Sequence, residues 1–337
     1  MIGVGIIGYG YWGTNLVRNF SEANGSRVIA VCDLITSRFP SLQARYPTIK
    51  TTSDYRDLLK NSEIDLVVIA TPVSSHYEIA LQALQAGKHV LVEKPMTATV
   101  AEGERLLEEA AKRKKMIAVD HTFVYTGAVR KIKELVRGDH LGQLYYYDSV
   151  RVNLGLFQHD VNVLWDLAVH DLSIMDYILG VQPRAVAATG VAHIANQPED
   201  IAYLTCLFDN NLIAHFHVNW LAPVKIRRTL IGGDRQMIVY DDLEPSEKIK
   251  VYDKGVTLNP TPEGVYQMRV GYRTADMWAP QIPTTEALQV EVLHLIECLE
   301  QGKTPITDGN VGLRVVRILE AATKSLAQRG QPIALSE

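Results

Sequence analysis

The stretch IGVGIIGYGYWG, residues 2–13, decides the fold of the first part of this chain. It joins an apolar, strand-like run to the spacing G-x-G-x-x-G at Gly8, Gly10 and Gly13, and a helix is predicted to follow. In that context the glycines permit a tight turn, close approach of the backbone to a pyrophosphate, and close packing of helix on strand. The N-terminus of the helix offers unpaired N–H groups to an anion. The stretch predicts a Rossmann-type dinucleotide site, with a plain glycine-rich turn as the alternative.

Four more apolar, strand-like runs follow at similar intervals, so the prediction extends to a whole domain. The runs are VIAVCD at 28–33, DLVVIAT at 65–71, KHVLVEK at 88–94 and MIAVDHT at 116–122. The segments between them, such as residues 76–87 and 99–115, carry apolar residues at helical spacing. Strands that are apolar throughout and alternate with helices indicate a parallel sheet covered on both faces. We predict a doubly wound, NAD-binding Rossmann domain over residues 1–122.

The pattern changes in residues 123–337, which we predict to form a second domain. Strand-like segments follow one another between about residues 184 and 252, and such consecutive strands favour an α+β domain with a large, mostly antiparallel open sheet. The stretch 255–283 is rich in Gly and Pro and is expected to be an irregular loop. Helices are predicted near 127–137, 165–178, 285–300 and 310–328.

Composition excludes several classes of protein. With 337 residues the chain exceeds the size at which one core usually divides into two, and 47% hydrophobic residues are typical of a globular protein. A net charge of −4 gives no general attraction to nucleic acid or membranes. The cysteines Cys32, Cys206 and Cys298 show no CxxC spacing, so no disulfide framework or metal site is predicted. Without a signal-like start or a membrane-length apolar run, we expect a cytoplasmic protein.

Asp33 provides a clue to which dinucleotide binds. It ends the second strand about twenty residues after Gly13, where a carboxylate accepts hydrogen bonds from the adenosine ribose of NAD. A 2′-phosphate would be repelled there unless a cation intervened, and Arg38 is such a cation. NAD is therefore expected in preference to NADP. The alternative is that Asp33 is an exposed acid at a strand end without a role in binding.

The chain resembles the Gfo/Idh/MocA oxidoreductase family over essentially its whole length. The resemblance rests on Glu93-Lys94-Pro95 after the fourth strand, Ala70-Thr71-Pro72 after the third, WDLAVHD at 165–171 and ITDGNVGLRVVRILEAATKS at 306–325. It implies an NAD(P)-dependent dehydrogenase in which the matching Lys, Asp and His act on a CH–OH group. It also implies association of the open sheets into a homodimer or homotetramer.

The chemistry of these residues fits such a role. Oxidising a secondary alcohol requires a base for the hydroxyl proton, and His170 is the candidate. Asp166, four residues earlier, shares its helix face and can orient the imidazole or bind a sugar hydroxyl. Lys94 follows a parallel strand, where open α/β sheets bind ligands, and is predicted to contact substrate and nicotinamide. The alternatives are that Asp166 and His170 are a surface pair and that Lys94 is a solvated lysine.

The sequence departs from the family pattern at two places. Asp166-Leu167-Ala168-Val169-His170 has Ala168 where many members carry glycine, and His121-Thr122-Phe123 falls where many carry an Asn-Arg-Arg-like run. The second departure puts the usual substrate contacts there in doubt. Three other histidines are assigned to surface, interface or core: His159, next to Asp160, and the pair His215 and His217.

The predicted function is oxidation of a secondary hydroxyl on a small carbohydrate, by hydride transfer to NAD. A sugar nucleotide resembling UDP-N-acetylhexosaminuronate is the first choice of substrate; an inositol or another pyranose is the alternative. Two rivals remain: a non-catalytic NAD-binding regulator, and a glycosidase-type enzyme that cycles hydride through bound NAD. The predicted cofactor-binding residues are Gly8, Tyr9, Gly10, Tyr11, Trp12, Gly13, Asp33, Arg38, Thr71, Pro72, His76, Glu93 and Lys94. The predicted substrate-binding residues are Lys94, Arg151, Asn153, Trp165, Asp166 and His170.

Overall fold

A computed structural model describes residues 1–155, 161–195, 197–253, 255–258, 270–273 and 275–335 of the chain. Its contacts divide into two compact units: Met1–Thr126 with Thr285–Arg317, and Gly127–Thr284 with Ile318–Glu337. The sequence had placed residues 285–317 with the second domain, whereas their contacts group them with the first unit. Sequence patterning does not show which core a C-terminal helix joins, because that depends on contacts between distant residues.

The described elements in chain order are as follows. The strands are β1 Ile2–Ile7, β2 Ser26–Cys32, β3 Lys50–Thr52, β4 Leu66–Ile69, β5 His89–Glu93, β6 Ile117–Asp120, β7 Leu144–Leu154, β8 Ala185–Val191, β9 Ile201–Leu207, β10 Ile213–Asn219, β11 Leu221–Gly233, β12 Met237–Asp241, β13 Ile249–Tyr252, β14 Gly255–Leu258, β15 Val270–Arg273, β16 Met277–Trp278 and β17 Ile333–Ala334. The α-helices are α1 Tyr11–Glu22, α2 Phe39–Arg45, α3 Arg56–Lys60, α4 His76–Gln85, α5 Val100–Arg113, α6 Gly127–Arg137, α7 Val169–Leu179, α8 Ala287–Gln301 and α9 Gly309–Ala327.

The first unit is built on a six-stranded sheet in the order β3-β2-β1-β4-β5-β6. Every neighbouring pair in it is parallel, so the predicted doubly wound Rossmann architecture is confirmed. The five predicted strands are all present, and the structure adds the short edge strand β3. The strand β4 is buried throughout, as expected for a sheet covered on both faces.

Helices α1 and α8 pack into one core with the sheet. Helix α1 buries Leu16 and Phe20, and α8 adds Leu288, Val292 and Leu295 to the same cluster. Each fully buried side chain of this kind contributes roughly 1.5–3 kcal/mol of transfer free energy. The packing fixes α1, and therefore the glycine turn at its N-terminus, against the carboxyl end of β1.

The second unit contains a nine-stranded sheet in the order β16-β13-β12-β11-β7-β10-β9-β8-β17. The pair β7–β10 is parallel and the other neighbours are antiparallel, which confirms the predicted mostly antiparallel sheet. In β9 and β10 every second residue is buried, so these strands bury one face and present the other to solvent.

One prediction about this unit was wrong in part, and another gains a detail. Residues 255–283 do not form only an irregular loop, because their described parts include β16 and the antiparallel pair β14–β15. The helix predicted near 165–178 is confirmed, and its first part, Leu164–Ala168, is a π-helical turn that continues as α7. None of the described helices is both long and apolar enough to cross a lipid bilayer.

Candidate cofactor and catalytic sites

The three glycines of the N-terminal turn each meet a different steric requirement. Gly8 has φ +97°, and a Cβ on it would lie 2.3 Å from the carbonyl oxygen of Ala70. A Cβ on Gly13 would lie 2.0 Å from the carbonyl oxygen of Gly8, so only glycine permits this helix–strand approach. Gly10, at the N-cap of α1, has no such neighbour, its nearest being Arg38 at 3.9 Å. Gly8 and Gly13 therefore shape the turn, and Gly10 leaves space beside the helix N-terminus.

A cavity of about 800 Å³ lies beside this turn, within the first unit. Its walls include Gly8, Gly10, Asp33, Arg38, Thr71 and Pro72, all of which the sequence had predicted. The cavity lies at the carboxyl ends of the central strands, where doubly wound sheets bind dinucleotides. The glycine turn, the space at Gly10 and the acid at the end of β2 all fit a dinucleotide.

Asp33 connects the glycine turn to the loop after β2. Its carboxylate accepts hydrogen bonds from the backbone N–H of Tyr9 at 2.6 Å, the backbone N–H of Ile35 at 2.7 Å, and Arg38 at 2.9 Å. Burial acts to raise the pKa of Asp33, but these hydrogen bonds and the charge of Arg38 outweigh it and lower the pKa. Asp33 is therefore ionised at neutral pH and lines the cavity as an acceptor.

His76 joins two backbone segments at this edge of the sheet. The ring is buried, with Nε2 2.8 Å from the carbonyl oxygen of Thr71 and Nδ1 2.9 Å from that of Pro95. Burial lowers its pKa, and the two carbonyl oxygens oppose that effect. The sequence placed His76 among the cofactor ligands; in the structure it ties the Thr71 turn to the loop containing Lys94-Pro95.

Lys94 and Trp12 each donate a hydrogen bond to an acidic residue at the end of a strand. Glu93 accepts the backbone N–H of Lys94 at 2.7 Å, and Asp120 accepts the indole N–H of Trp12 at 2.6 Å. Glu93 and Asp120 are register partners at the carboxyl ends of β5 and β6. The segment that carries Lys94 and the glycine turn that carries Trp12 are thus held against neighbouring strand ends.

The other predicted cofactor residues take different positions. Tyr9 is buried, whereas Tyr11 is 87% exposed. The structure also adds cavity walls that the sequence reasoning missed: Ser53, Tyr55, Arg56, Ser74, Ser75 and Glu78. Ser74 and Ser75 directly follow the predicted Thr71-Pro72 turn and were within reach of the motif. Tyr55 and Arg56 lie after the short edge strand β3, which had no sequence signal.

In the second unit, Asp166 lies in the π-helical turn and His170 in the first turn of α7. Both residues are partly exposed. The indole N–H of the buried Trp220 donates to Asp166 at 2.9 Å, and the hydroxyl of Ser173 donates to the carbonyl oxygen of His170 at 2.7 Å. π-Helical turns interrupt the regular backbone ladder and are frequent at functional sites. The arrangement presents a fixed carboxylate and an imidazole from consecutive turns.

Two of the predicted substrate contacts are buried in this unit. Arg151 makes a bidentate ion pair with Asp171, with Nε and Nη2 at 2.8 and 2.9 Å from the two carboxylate oxygens. Trp165 is 8% exposed and donates its indole N–H to Thr323 at 2.9 Å. Both contacts hold α7 and the preceding turn in place. Asn153, near the end of β7, is partly exposed.

The remaining histidines have distinct environments. His121 is buried, as the first residue after β6. His217 stacks on Tyr203, with ring centroids 4.6 Å apart, and its neighbour His215 lies 3.4 Å from Asp148. His159 and Asp160 lie outside the described residues. In the described part of the chain, no three His, Cys, Asp or Glu residues are grouped to hold a metal ion.

Comparison with known proteins extends these observations to the whole chain. The Gfo/Idh/MocA models of the oxidoreductase family match residues 2–121 as an NAD-binding Rossmann fold and residues 133–335 as a C-terminal alpha/beta domain. The chain is 27% identical to the NADP(+)-dependent scyllo-inositol 2-dehydrogenase of Bacillus subtilis (strain 168), over 97% of this chain and 94% of that protein. It is 25% identical to the NAD(+)-dependent scyllo-inositol 2-dehydrogenase of the same organism, over 99% and 95%.

A solved structure shows the same likeness. UDP-N-acetylglucosamine 3-dehydrogenase from Acidithiobacillus ferrooxidans superposes with a TM-score of 0.80 at 25% identity, over 97% of this chain and 99% of that one. In sequence the same enzyme is 27% identical over 76% of each chain. The two family models together cover nearly the whole chain, and the glycine turn, the cavity and Asp33 fit the cofactor of that family. The chain therefore belongs to the Gfo/Idh/MocA family and is an NAD(P)-dependent oxidoreductase acting on CH–OH groups.

Proposed function

We propose that this protein oxidises a secondary hydroxyl of a sugar nucleotide resembling UDP-N-acetylhexosaminuronate, with NAD as the preferred hydride acceptor. The observation that carries the proposal is that Asp166, fixed by the indole of Trp220, and His170 lie on consecutive turns at the start of α7. A sugar-nucleotide substrate is supported by the similarity to UDP-N-acetylglucosamine 3-dehydrogenase over nearly both whole chains.

His170 is assigned the role of general base. Its imidazole takes the hydroxyl proton of the substrate as the C–H bond gives up its hydride. Asp166 binds a neighbouring hydroxyl and orients the sugar, and the hydrogen bond from Trp220 fixes its carboxylate. Lys94 is assigned to the reacting oxygen, where a cation stabilises the developing negative charge. When bound, the nicotinamide supplies the hydride acceptor.

The preference for NAD rests on the charge of the cavity wall. Asp33 is ionised and lines the cavity, so it attracts ribose hydroxyls and repels a 2′-phosphate. Arg38 already donates a hydrogen bond to Asp33 at 2.9 Å, so that carboxylate neutralises part of its positive charge. Arg56 also lines the cavity and pairs with Asp54 at 3.4 Å. We expect binding of NADP to be weaker than that of NAD but measurable.

A free inositol is the second candidate substrate. The specific observation in its favour is that two scyllo-inositol 2-dehydrogenases match this chain over 97% and 99% of its length. A cyclitol presents the same secondary hydroxyl to a base and lacks only the nucleotide. The two candidates therefore share the proposed chemistry and differ in whether a uridine diphosphate contributes to binding.

The test is a turnover assay that follows nicotinamide absorbance with UDP-N-acetylglucosamine, its uronate, scyllo-inositol and myo-inositol, each with NAD and with NADP. The sugar-nucleotide proposal expects kcat/KM for a UDP sugar to exceed that for either inositol by at least about tenfold. Higher kcat/KM for an inositol would replace it with the second candidate. If a glycosidic substrate is turned over while the reduced cofactor does not accumulate, because it is reoxidised in each cycle, the glycosidase-type cycle is indicated instead.

The roles of the residues are tested with His170→Ala and the matched control His140→Ala, whose side chain is exposed elsewhere in the same unit. Loss of a general base lowers the rate by about 100- to 10,000-fold. We expect His170→Ala to lose kcat to that extent while keeping its affinity for NAD, and His140→Ala to keep both. Unchanged kcat in His170→Ala would overturn the assignment of the base.

A further inference from the structure

Three carboxyl side chains from three elements act on one another inside the first unit. Glu93 ends β5, Asp120 ends the adjacent β6 as its register partner, and Glu291 lies on α8. Asp120 and Glu291 are 2% and 0% exposed. We call these three residues the carboxyl cluster. Negative charges on three neighbouring carboxyl groups, two of them fully buried, are strongly unfavourable, so the cluster retains protons.

The hydrogen bonds distinguish the members of the cluster. Asp120 accepts from the indole of Trp12 and from the hydroxyl of Thr122, and Glu93 accepts the backbone N–H of Lys94. Each of these two carboxyl groups therefore accepts from at least one donor. Glu291 differs, because both of its oxygens are buried without a well-formed hydrogen bond, and its neighbours there are Asp120 and Thr122. A bare charge there would cost several kcal/mol, so Glu291 is the neutral, protonated member.

The electrostatic environment also favours protons that stay bound in the cluster. Burial, followed by the charge of Asp120, raises the pKa of Glu291 well above its ordinary value, and Glu93 adds to the effect. Burial and Asp120 also raise the pKa of Glu93, against the opposing charge of Lys94. A further titratable group that faces Glu291 is Tyr125, whose pKa burial and Glu291 raise. Next to Tyr125 lie His294, with ring centroids 5.6 Å apart, and Cys298.

The carboxyl cluster is connected to both segments that handle the cofactor. Trp12, bonded to Asp120, lies in the first turn of α1 between Gly10 and Gly13. Lys94, bonded through its backbone to Glu93, is the lysine of the Glu-Lys-Pro segment. A change of charge at the cofactor therefore acts on the proton equilibrium of buried groups, where electrostatic interactions are poorly screened.

We propose that the carboxyl cluster couples proton binding to the redox state of the dinucleotide, releasing protons when the oxidised form binds and keeping them when the reduced form binds. The two forms share their phosphates and riboses and differ by the positive charge of the nicotinamide ring. That charge favours ionised carboxylates, so the oxidised form expels more protons into solvent. The inference depends on dinucleotide binding alone and goes beyond the proposed substrate.

The experiment is calorimetric titration of the full chain with NAD and with NADH, in two buffers of different ionisation enthalpy. The change in observed enthalpy between buffers gives the protons exchanged per cofactor bound. The variant is Glu291→Gln, because glutamine has nearly the shape of a protonated glutamic acid and cannot ionise. The matched control is Glu297→Gln, an exposed acid on the same helix that pairs with Lys303 at 2.9 Å.

Wild type and Glu297→Gln should release more protons with NAD than with NADH, and Glu291→Gln should lose at least half of that difference while still binding NAD. An equal difference in Glu291→Gln, or none in wild type, overturns the inference and leaves the proposed function intact. Absence of dinucleotide binding would overturn the inference together with the cofactor assignment. Turnover of an inositol in place of a sugar nucleotide would change only the proposed function.

A second measurement applies if Glu291→Gln does not fold. Infrared difference spectra of wild type with and without NAD report the C=O stretch of protonated carboxylic acids directly. Loss of such a band on binding NAD, and a smaller loss on binding NADH, supports the carboxyl cluster as the source of the proton. Identical spectra for the two forms of the cofactor overturn it.

Discussion

At the scale of single residues, Asp33 has two tasks that a sequence motif does not separate. It lines the dinucleotide cavity, and it holds the glycine turn through the N–H of Tyr9 at 2.6 Å. Hydrogen bonds to charged groups contribute roughly 1.5–3 kcal/mol. We therefore expect Asp33→Ser to weaken the binding of NAD by at least about tenfold, and that of NADP by less, as measured by calorimetry.

The control for Asp33 is Asp209→Ser, which removes an acid whose side chain is 84% exposed in the second unit. It should leave the affinity for both dinucleotides unchanged. Equal weakening of NAD and NADP in Asp33→Ser would contradict a role in cofactor choice and would leave only the structural task.

His89 gives a second prediction at the residue scale, concerning stability against pH. Its Nδ1 accepts the backbone N–H of Met116 at 3.0 Å, and burial, with the charge of Lys115, lowers its pKa from 6.5 to about 4. The unfolded chain therefore binds a proton between these values that the folded chain does not, so stability falls as pH decreases from about 6.5 towards 4.

His89→Asn keeps an acceptor for Met116 and removes the titration. We expect thermal unfolding of wild type to lose about 1–2 kcal/mol more than this variant over that pH range, after allowance for solvent at the half-buried ring. His140→Asn, at an exposed site, should follow wild type. Parallel curves for wild type and His89→Asn would contradict a buried neutral histidine.

At the scale of elements, two glycines of the N-terminal turn are predicted to have different effects: Gly13 on stability and Gly10 on the binding of NAD. A Cβ at Gly13 would meet the Gly8 carbonyl at 2.0 Å, whereas a Cβ at Gly10 has no neighbour closer than 3.9 Å. We expect Gly13→Ala to lower the unfolding free energy by more than about 2 kcal/mol, because α1 must move away from β1. Gly10→Ala should keep wild-type stability and lose at least about tenfold in affinity for NAD, because its methyl group occupies the space for the dinucleotide.

Thermal unfolding and calorimetric titration on both variants check this pair. A stable Gly13→Ala variant would show that the turn relaxes around the added methyl group. Unchanged binding of NAD by Gly10→Ala would show that the pyrophosphate does not approach the backbone at that residue.

Elements set by local patterns were predictable from the sequence, and contacts between distant residues were not. The strands β1, β2, β4, β5 and β6 follow from continuous apolar runs, and the glycine turn from its spacing. The pairing of Arg151 with Asp171, and of Trp165 with Thr323, depends on tertiary packing, so the sequence did not show that both side chains are buried in these contacts. Glu291 gave no sequence signal because its partners lie about 170 and 200 positions away.

At the scale of the whole molecule, the solvent-facing side of the nine-stranded sheet leads to a prediction about assembly. Tyr203 and Ile213, on neighbouring strands β9 and β10, are 44% and 45% exposed, and His217 stacks on Tyr203. Large apolar side chains exposed on one face of a sheet favour an interaction site there. We expect the chain to associate through this face into a homodimer or homotetramer.

Light scattering should give wild type a mass of two or four times 37.5 kDa. The double variant Tyr203→Glu/Ile213→Lys places charges where an interface core excludes them, so its mass should fall towards that of one chain. Leu293→Lys, at an apolar residue 43% exposed on α8 in the first unit, is the matched control and should keep the wild-type mass. A single-chain mass for wild type would contradict the assembly, and dissociation by Leu293→Lys alone would place the interface on the first unit, because a lysine there leaves the sheet face unchanged.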